Sequence, residues 1–563
     1  MGCISIPFRR LPHQPKLFLR FLDDFSSVSK FYSHPPAMEA VKEVARSLDY
    51  PVERRKEVVA ALRDTNHNLA AAIPGGSAAT ERNLERLENG AVAVLSGQQV
   101  GLFGGPAYAF YKALSAIRIA EELTEAGIDA VPVFWMATED HDLDEVRHVS
   151  WFHAGKLTRF EVPVEGIPGR PVGRVELGAA MESLVKSASE LLTGAGSERV
   201  ARILQESYRA EETYGSAFGK LFARVFAEHG LILLDPLDAQ LHRIAAPVYH
   251  KALADRDQLS AKLLERGKEL EAAGFDPQVK VTAESTLLFH MKDGVRQPIG
   301  FHAGANGETH ASGQSRTGTG ASGGSFKSGD ASWTRDEILR LTGTAPETLS
   351  PNALLRPVVQ DYLLPTVAFL AGSAEISYLA QSQVVYQHIL GRMPVLLPRA
   401  DFTILDAKAD KLLQKFQLCI ENIWAGPQEL RKQMEAISLP KQLAEDFDKR
   451  KALIETTLMD LGADIQKLDA TLAGAVATTR EKMTFQLDKL REKTGRALDE
   501  RAGRIAEYVE FLENLLYPGK VLQSRELSFL PFLAQWGAEG LKELKDLASS
   551  SNLKEHRIAR MAG

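Results

Sequence analysis

Glu139, Asp140, His141, Asp142, Asp144 and Glu145 stand almost without interruption in the sequence TEDHDLDE. Like charges this dense repel, so the cluster is costly unless it is solvated, paired, or holding a cation or an amine. General-base work, ammonium recognition and metal ligation all suit such a group, as does a plain acidic turn capping the next element. No second histidine stands at HxxxH spacing, which ranks metal below the other chemical roles, and no metal site is assigned. A second unusual stretch, SGQQVGLFGGP, brings Gly97, Gln98, Gly101, Gly104 and Gly105 together. Glycines there permit positive φ and close backbone approach, and a following helix N-terminus offers free N–H groups to an anion. The spacing is neither GxGxxG nor GxxxxGK[ST]. A phosphate or carboxylate cradle and a tight turn where helix meets sheet both remain open.

Lys112 falls about 200° around the helix from Phe110, at roughly 100° per residue, and so points away from the apolar stripe of Phe110, Leu114 and Ile117. Surface charge is one reading; an ammonium reaching back to an anion in the glycine turn is the other. Further along, Asn352, Arg356, Gln360, Asp361, Glu375 and Tyr378 are polar residues inside apolar text. They serve either a substrate or helix caps and packing bonds.

These residues need a scaffold. The apolar runs AVAVL from Ala91 and VPVFWMA from Val131 read as strands, with a helix between them that opens at Pro106. In open parallel sheets ligands collect beyond the carboxyl ends of the strands, where both polar turns fall. GLILLDP from Gly230 predicts a third such strand, Asp293-Gly294 a hairpin within 279–301, and Val395–Leu397 a last strand. The expected fold class is α/β, a Rossmann-like parallel-sheet core with inserted segments. Composition over 303–332, rich in glycine and serine, predicts a flexible loop, favouring a disordered insertion over a lid. Prolines 351, 357 and 365 argue against one long helix in that region.

From about 403 to 517 the pattern changes. Ile454, Leu458, Leu461, Ile465, Leu468 and Leu472 alternate spacings of four and three, resumed at Met483, Leu487 and Leu490. This heptad seam predicts an α-helical coiled-coil arm, paired within the chain or with a second copy. The domains expected are a core over 1–402, the arm over 403–517, and a segment over 518–563 that returns to the core.

Composition bounds the function. With 67 Lys plus Arg against 73 Asp plus Glu, no global basic field favours nucleic acid. The two cysteines, Cys3 and Cys419, form no CxxC pair, which fits a reducing cytoplasm. No apolar run is long enough to span a bilayer, so no membrane partner is expected.

The segments SGQQVGLFGGPAYAFYK, PVFWMATEDHDLDEV, SPNALLRPVVQDYLLPTVAFLAGSAEISYLAQ and YPGKVLQSRELSFLPFLAQWG, with the heptad block, resemble the BshC family, the cysteine ligases of bacillithiol biosynthesis. The resemblance implies a Rossmann-like core akin to class I aminoacyl-tRNA synthetases, a coiled coil that forms a homodimer, and addition of cysteine to the amine of glucosaminyl malate. An amide made in water needs an activated acyl group, so ATP or another adenine nucleotide is the expected co-substrate. In that scheme Gly97 to Gly105 with Lys112 hold phosphate, and Asp140 or Asp142 binds the cysteine ammonium. His141 assists deprotonation of the sugar amine, with Glu139 beside it, and Arg356 or Asn352 holds the malate carboxylates. Gln360, Glu375 and Tyr378 complete the substrate set, and Lys520, Gln523 and Arg525 form a second nucleotide candidate beside the arm. A nucleotidylyltransferase for another small acid, or a dimeric scaffold without catalysis, are the rival readings.

Overall fold

The computed structural model describes residues 3–71, 73, 78–162, 164, 167–303, 324–437, 441–500 and 503–560. Its centre is a five-stranded sheet formed by β1 (Val92–Gln98), β2 (Ala130–Met136), β3 (Ile232–Leu234), β4 (Thr366–Ala371) and β5 (Val395–Pro398). The spatial order is β5-β4-β1-β2-β3, and every neighbouring pair is parallel. The chain first steps outward from β1 to β2 and β3, then returns to β1's other side as β4 and β5. The order therefore reverses at β1, and a crevice opens beyond the strand ends at that switch point.

Strand alternation explains why both faces are covered. Val92, Val94, Phe134, Met136 and Leu233 enter one apolar cluster, while Ala93, Leu95, Val133, Trp135 and Ile232 enter the other. Successive side chains point to opposite faces, so each strand feeds two cores, and each fully buried aliphatic side chain contributes roughly 1.5–3 kcal/mol. Helix α1 (Tyr108–Glu125) packs on the first face, with Phe110 5.0 Å from Phe222 and 5.1 Å from Phe529 between ring centroids. Helices α2 (Arg356–Leu363) and α3 (Ser373–Ile389) flank β4, and their buried Val358, Ile376 and Leu379 join the second core. No single helix spans this region, and β4, which the mixed polar text concealed, lies beside β1.

Between β3 and β4 the chain inserts an antiparallel five-stranded sheet. Its hairpin pairs Ser285–Lys292 with Val295–His302 across Asp293-Gly294, both at positive φ (53° and 75°), the geometry that Asp-Gly tolerates. Part of the stretch expected to be a flexible loop is ordered, because Ser325–Ser328 and Ala331–Trp333 pair in this sheet and bury Phe326. Positions 304–323 lie outside the described residues. Pro106 is also not the first helical residue. It forms a bridge to Ser528, and α1 starts at Tyr108.

Helices α4 (Lys441–Leu468) and α5 (Ala473–Glu500) run antiparallel. Lys451 meets Asp488 at 2.8 Å and Arg491 meets Asp448 at 2.7 Å, pairs that only an antiparallel hairpin brings together. No described side chain from 442 to 494 is buried. Beyond the arm, Glu555–Arg560 pairs with both Cys3–Pro7 and Asp401–Leu405. No helix among the described residues is long and apolar enough to cross a membrane.

Candidate active site

The carboxyl end of β1 sets the site's floor. A Cβ on Gly97 would stand 2.6 Å from the Trp135 carbonyl oxygen, so the close β1–β2 approach requires glycine there. Two residues on, Gln99 leaves the strand and its Nε2 donates to Asp140 Oδ2 at 2.7 Å and to Glu145 Oε2 at 2.9 Å. The glycine turn and the acidic turn are therefore tied directly. Both line one cavity of about 690 Å³ with Gly97, Gln98, Glu139 and His141 on its wall.

The two turns otherwise differ from expectation. Gly101, Gly104 and Gly105 do not line the cavity. Gly104 N–H donates to the Tyr208 hydroxyl and the Gly101 carbonyl, Gly105 N–H to Leu102 O, and Ala107 N–H to Leu527 O. With those amides spent on protein partners, the Gly104–Ala107 end of the turn offers no N–H groups to a phosphate; Gly104 and Gly105 are needed for their positive φ of 85° and 71°. Lys112 is not a surface charge either. It is 2% exposed, donates to Gly97 O (2.7 Å) and Gln98 Oε1 (2.8 Å), and pairs with Glu375 at 2.5 Å. Burial pulls its pKa down and the Glu375 carboxylate opposes that shift. Its three N–H groups are committed, so it fastens α1 to β1 and to the start of α3 instead of reaching a ligand. Glu375 also accepts from Gly372 N–H, capping α3, and both residues border the cavity.

Within the acidic turn the roles separate. Asp142 caps the turn Leu143–Val146 through Glu145 N–H and does not line the cavity, which removes it from the catalytic set. Asp140 lines the wall and also accepts from His141 N–H. The His141 ring lies tilted beside Phe289 (centroids 6.0 Å apart), with Nδ1 3.3 Å from Arg296 Nη1. Glu139 is 5% exposed, and its pKa is pushed up to about 7, mainly by burial.

From the later region, Asn352 Oδ1 accepts from Leu354 and Leu355 N–H, so its oxygen serves the start of α2 while the residue borders the cavity. Arg356 donates to Tyr378 Oη (2.7 Å) and Gln360 Oε1 (3.3 Å). Arg356 and Tyr378 reach the cavity, whereas Gln360 is buried behind them. Burial raises the Tyr378 phenol to about 12, so it stays protonated. The second nucleotide candidate comes apart. Lys520 is exposed and off the cavity, and buried Gln523 bonds the Ile404 and Leu515 backbone, while Arg525 joins the main cavity and donates to Ser373 Oγ (3.3 Å).

Arg296 and Arg399 were not apparent in the sequence. Arg296 projects from the inserted hairpin, donates to Ser350 Oγ (2.9 Å) and Pro351 O (2.5 Å), and lies 3.9 Å from the Phe289 ring centroid. Arg399 follows β5 and pairs with Asp401 at 2.7 Å. Although burial opposes it, Arg399 and His556 hold the Asp401 carboxyl well below its ordinary range. A lone arginine in a strand or after one carries no local signal; only the parallel order showed where strand ends would converge. Among the described residues, no group of three or more His, Cys, Asp or Glu could share a metal ion.

A parallel sheet of order β5-β4-β1-β2-β3, with polar or charged side chains from the ends of β1, β2, β4 and β5 meeting in a cavity at its switch point, defines a Rossmann-like protein. Two family models extend that assignment, the BshC bacillithiol biosynthesis N-terminal Rossmann-like domain over residues 1–400 and the BshC C-terminal coiled-coil domain over 402–561. The chain belongs to the BshC family. It is 40% identical to a Koribacter versatilis protein named "Putative cysteine ligase BshC", covering 99% of each chain. Proteins of the same name from Solibacter usitatus (35%, covering 96% of each chain) and Chlorobaculum tepidum (29%, covering 100% of each) are also similar.

Proposed function

We propose that this protein completes bacillithiol by joining the carboxyl carbon of cysteine to the amine of glucosaminyl malate, in the cytoplasm, with ATP as activating co-substrate. The observation that carries this reading is the double charge character of one cavity, which holds Asp140 and Glu145 together with Arg296, Arg356, Arg399 and Arg525. A zwitterionic amino acid and a dicarboxylate need both signs in one place, and a polyanionic nucleotide needs the guanidinium groups. Asp140 and Glu145, already oriented by Gln99, receive the cysteine ammonium. Arg356, steadied by Tyr378 and Gln360, takes a malate carboxylate. With the Gly104 and Gly105 amides engaged, Arg399 and Arg525 with Ser373 replace them as the fit for phosphate oxygens. The proton lost by the attacking amine has two acceptors on this wall, His141 and Glu139.

The arm supplies the partner. Leu453, Leu461, Leu468 and Leu490 are 52–88% exposed on the hairpin, and a second copy packed along it would cover such side chains, giving a homodimer.

Purified protein given cysteine, glucosaminyl malate and ATP is expected to yield bacillithiol by mass spectrometry, with nucleotide consumed in step. Absence of product with ATP and with the other nucleoside triphosphates contradicts the ligase assignment, and product without nucleotide consumption contradicts the ATP part alone.

A further inference from the structure

We propose that Glu139 is the catalytic base that accepts the proton of the attacking sugar amine; this rests on the ligase reading above. Glu139 lines the cavity although only 5% of its surface is exposed, and its buried Oε1 has no hydrogen-bond partner. A buried carboxyl oxygen without a hydrogen-bond partner is costly, and its persistence in a residue that also lines the cavity is what a proton acceptor needs. The charged and titratable groups around it come from every packed element. Arg296 and the Ser350 hydroxyl on the inserted sheet, with Arg356 from α2, favour the carboxylate; burial and Asp235 beyond β3 favour the acid. Beneath it, His242 Nε2 lies 3.6 Å from Oε1, and the Tyr249 hydroxyl sits 3.1 Å from His242 Nδ1.

His242 does not neutralise the carboxylate. Burial first, with Arg174 acting in the same sense, lowers its pKa to about 4, so it is uncharged at neutral pH. The result is a carboxyl balanced near pH 7, where a base is both ionised in useful amount and strong enough to act. The neighbours are less suited. Asp140 is engaged by Gln99 and His141 N–H, Asp142 is a cap, and His141 Nδ1 faces the Arg296 guanidinium.

In the step assigned here, the amine lone pair attacks the cysteinyl carbonyl carbon, which carries a phosphate-class leaving group. The C–N bond forms, and the carbonyl carbon's bond to the leaving oxygen breaks with its electron pair going to that oxygen. The nitrogen's proton passes to the Glu139 carboxylate, which later releases it to solvent.

The test is single-turnover amide formation against pH, in wild type, Glu139→Gln, Glu139→Asp and His141→Ala. Wild type is expected to speed up with rising pH and level off above about 7. Glu139→Gln is expected to be about 10²- to 10⁴-fold slower with no inflection there. Glu139→Asp recovers part of the rate together with an inflection, and His141→Ala keeps the inflection. Folding is checked separately. A carboxyl whose pKa is raised on folding contributes stability at low pH that is lost as pH rises through about 7, so Glu139→Gln should unfold at or above the wild-type temperature at pH 8. Wild-type rate and inflection in Glu139→Gln would overturn the assignment, as would a folded Glu139→Asp with no inflection. Wild type that forms no product overturns the ligase reading itself, and the base assignment falls with it.

Discussion

Lys112→Ala is expected to destabilise the protein by about 3–5 kcal/mol, the usual consequence of removing one member of a buried ion pair. The ammonium is 2% exposed and satisfies Gly97 O, Gln98 Oε1 and Glu375 at once. Its loss strands a carboxylate at the start of α3 and two acceptors at the end of β1, and it opens a cavity where the lysine stem lay. Because these elements form the floor and one wall of the site, activity should fall with stability. Replacing both partners, Lys112→Met with Glu375→Leu, should cost markedly less than either single change, since no charge is left behind. Urea unfolding curves of Lys112→Ala, of the Lys112→Met and Glu375→Leu single changes and of their double variant make the comparison. An unchanged midpoint in Lys112→Ala would restore the surface-charge reading suggested by helix periodicity.

Arg356→Ala is expected to lower kcat/KM for glucosaminyl malate, the proposed amine substrate, by about 30- to 1,000-fold. That corresponds to roughly 2–4 kcal/mol for truncating a hydrogen-bonded, half-buried charge. The guanidinium is held by the Tyr378 and Gln360 side chains, so its remaining donors are fixed toward the cavity before any ligand arrives. Lysine should not restore function, because an ammonium cannot reproduce the planar fork. Steady-state kinetics with glucosaminyl malate and with an amine lacking the malate carboxylates would isolate the role. A loss confined to the first substrate, mainly in KM, is the expected result. Equal losses for both would assign Arg356 to the fold or to the nucleotide instead.

Why some of this was legible in the sequence and some was not has physical causes. Strands β1, β2 and β3 are buried on both faces and therefore appear as short apolar runs, and Asp293-Gly294 announces its hairpin through turn chemistry. Their order placed Gln98 and Asp140 at one sheet edge, and the Gln99 bonds to Asp140 and Glu145 follow from that placement. Strand β4 was missed because Pro365 and the surrounding polar residues hide it, although it pairs with β1. Lys112 was misplaced for a different reason. Helix α1 is enclosed on nearly all sides, with Phe110, Tyr111, Lys112, Ala113 and Leu114 all buried, so an amphipathic stripe does not describe it. The glycines at 101, 104 and 105 looked like an anion cradle because conformational freedom is the same signal for a tight turn and a ligand loop. Gln523 likewise gave no hint that both Nε2 donors and its Oε1 would bond the backbone. Arg296 comes from a distant insertion, and only tertiary folding brings it to His141.

The most direct measurement is a crystal structure of the protein soaked with bacillithiol, the product of the proposed reaction. Density for bacillithiol is expected in the cavity between β1 and β4, with the cysteinyl ammonium at Asp140 or Glu145 and a malate carboxylate at Arg356. Product bound elsewhere, with the crevice joining Gln99 to the acidic turn left empty, would contradict the assignment of that crevice as the place where the amide is made.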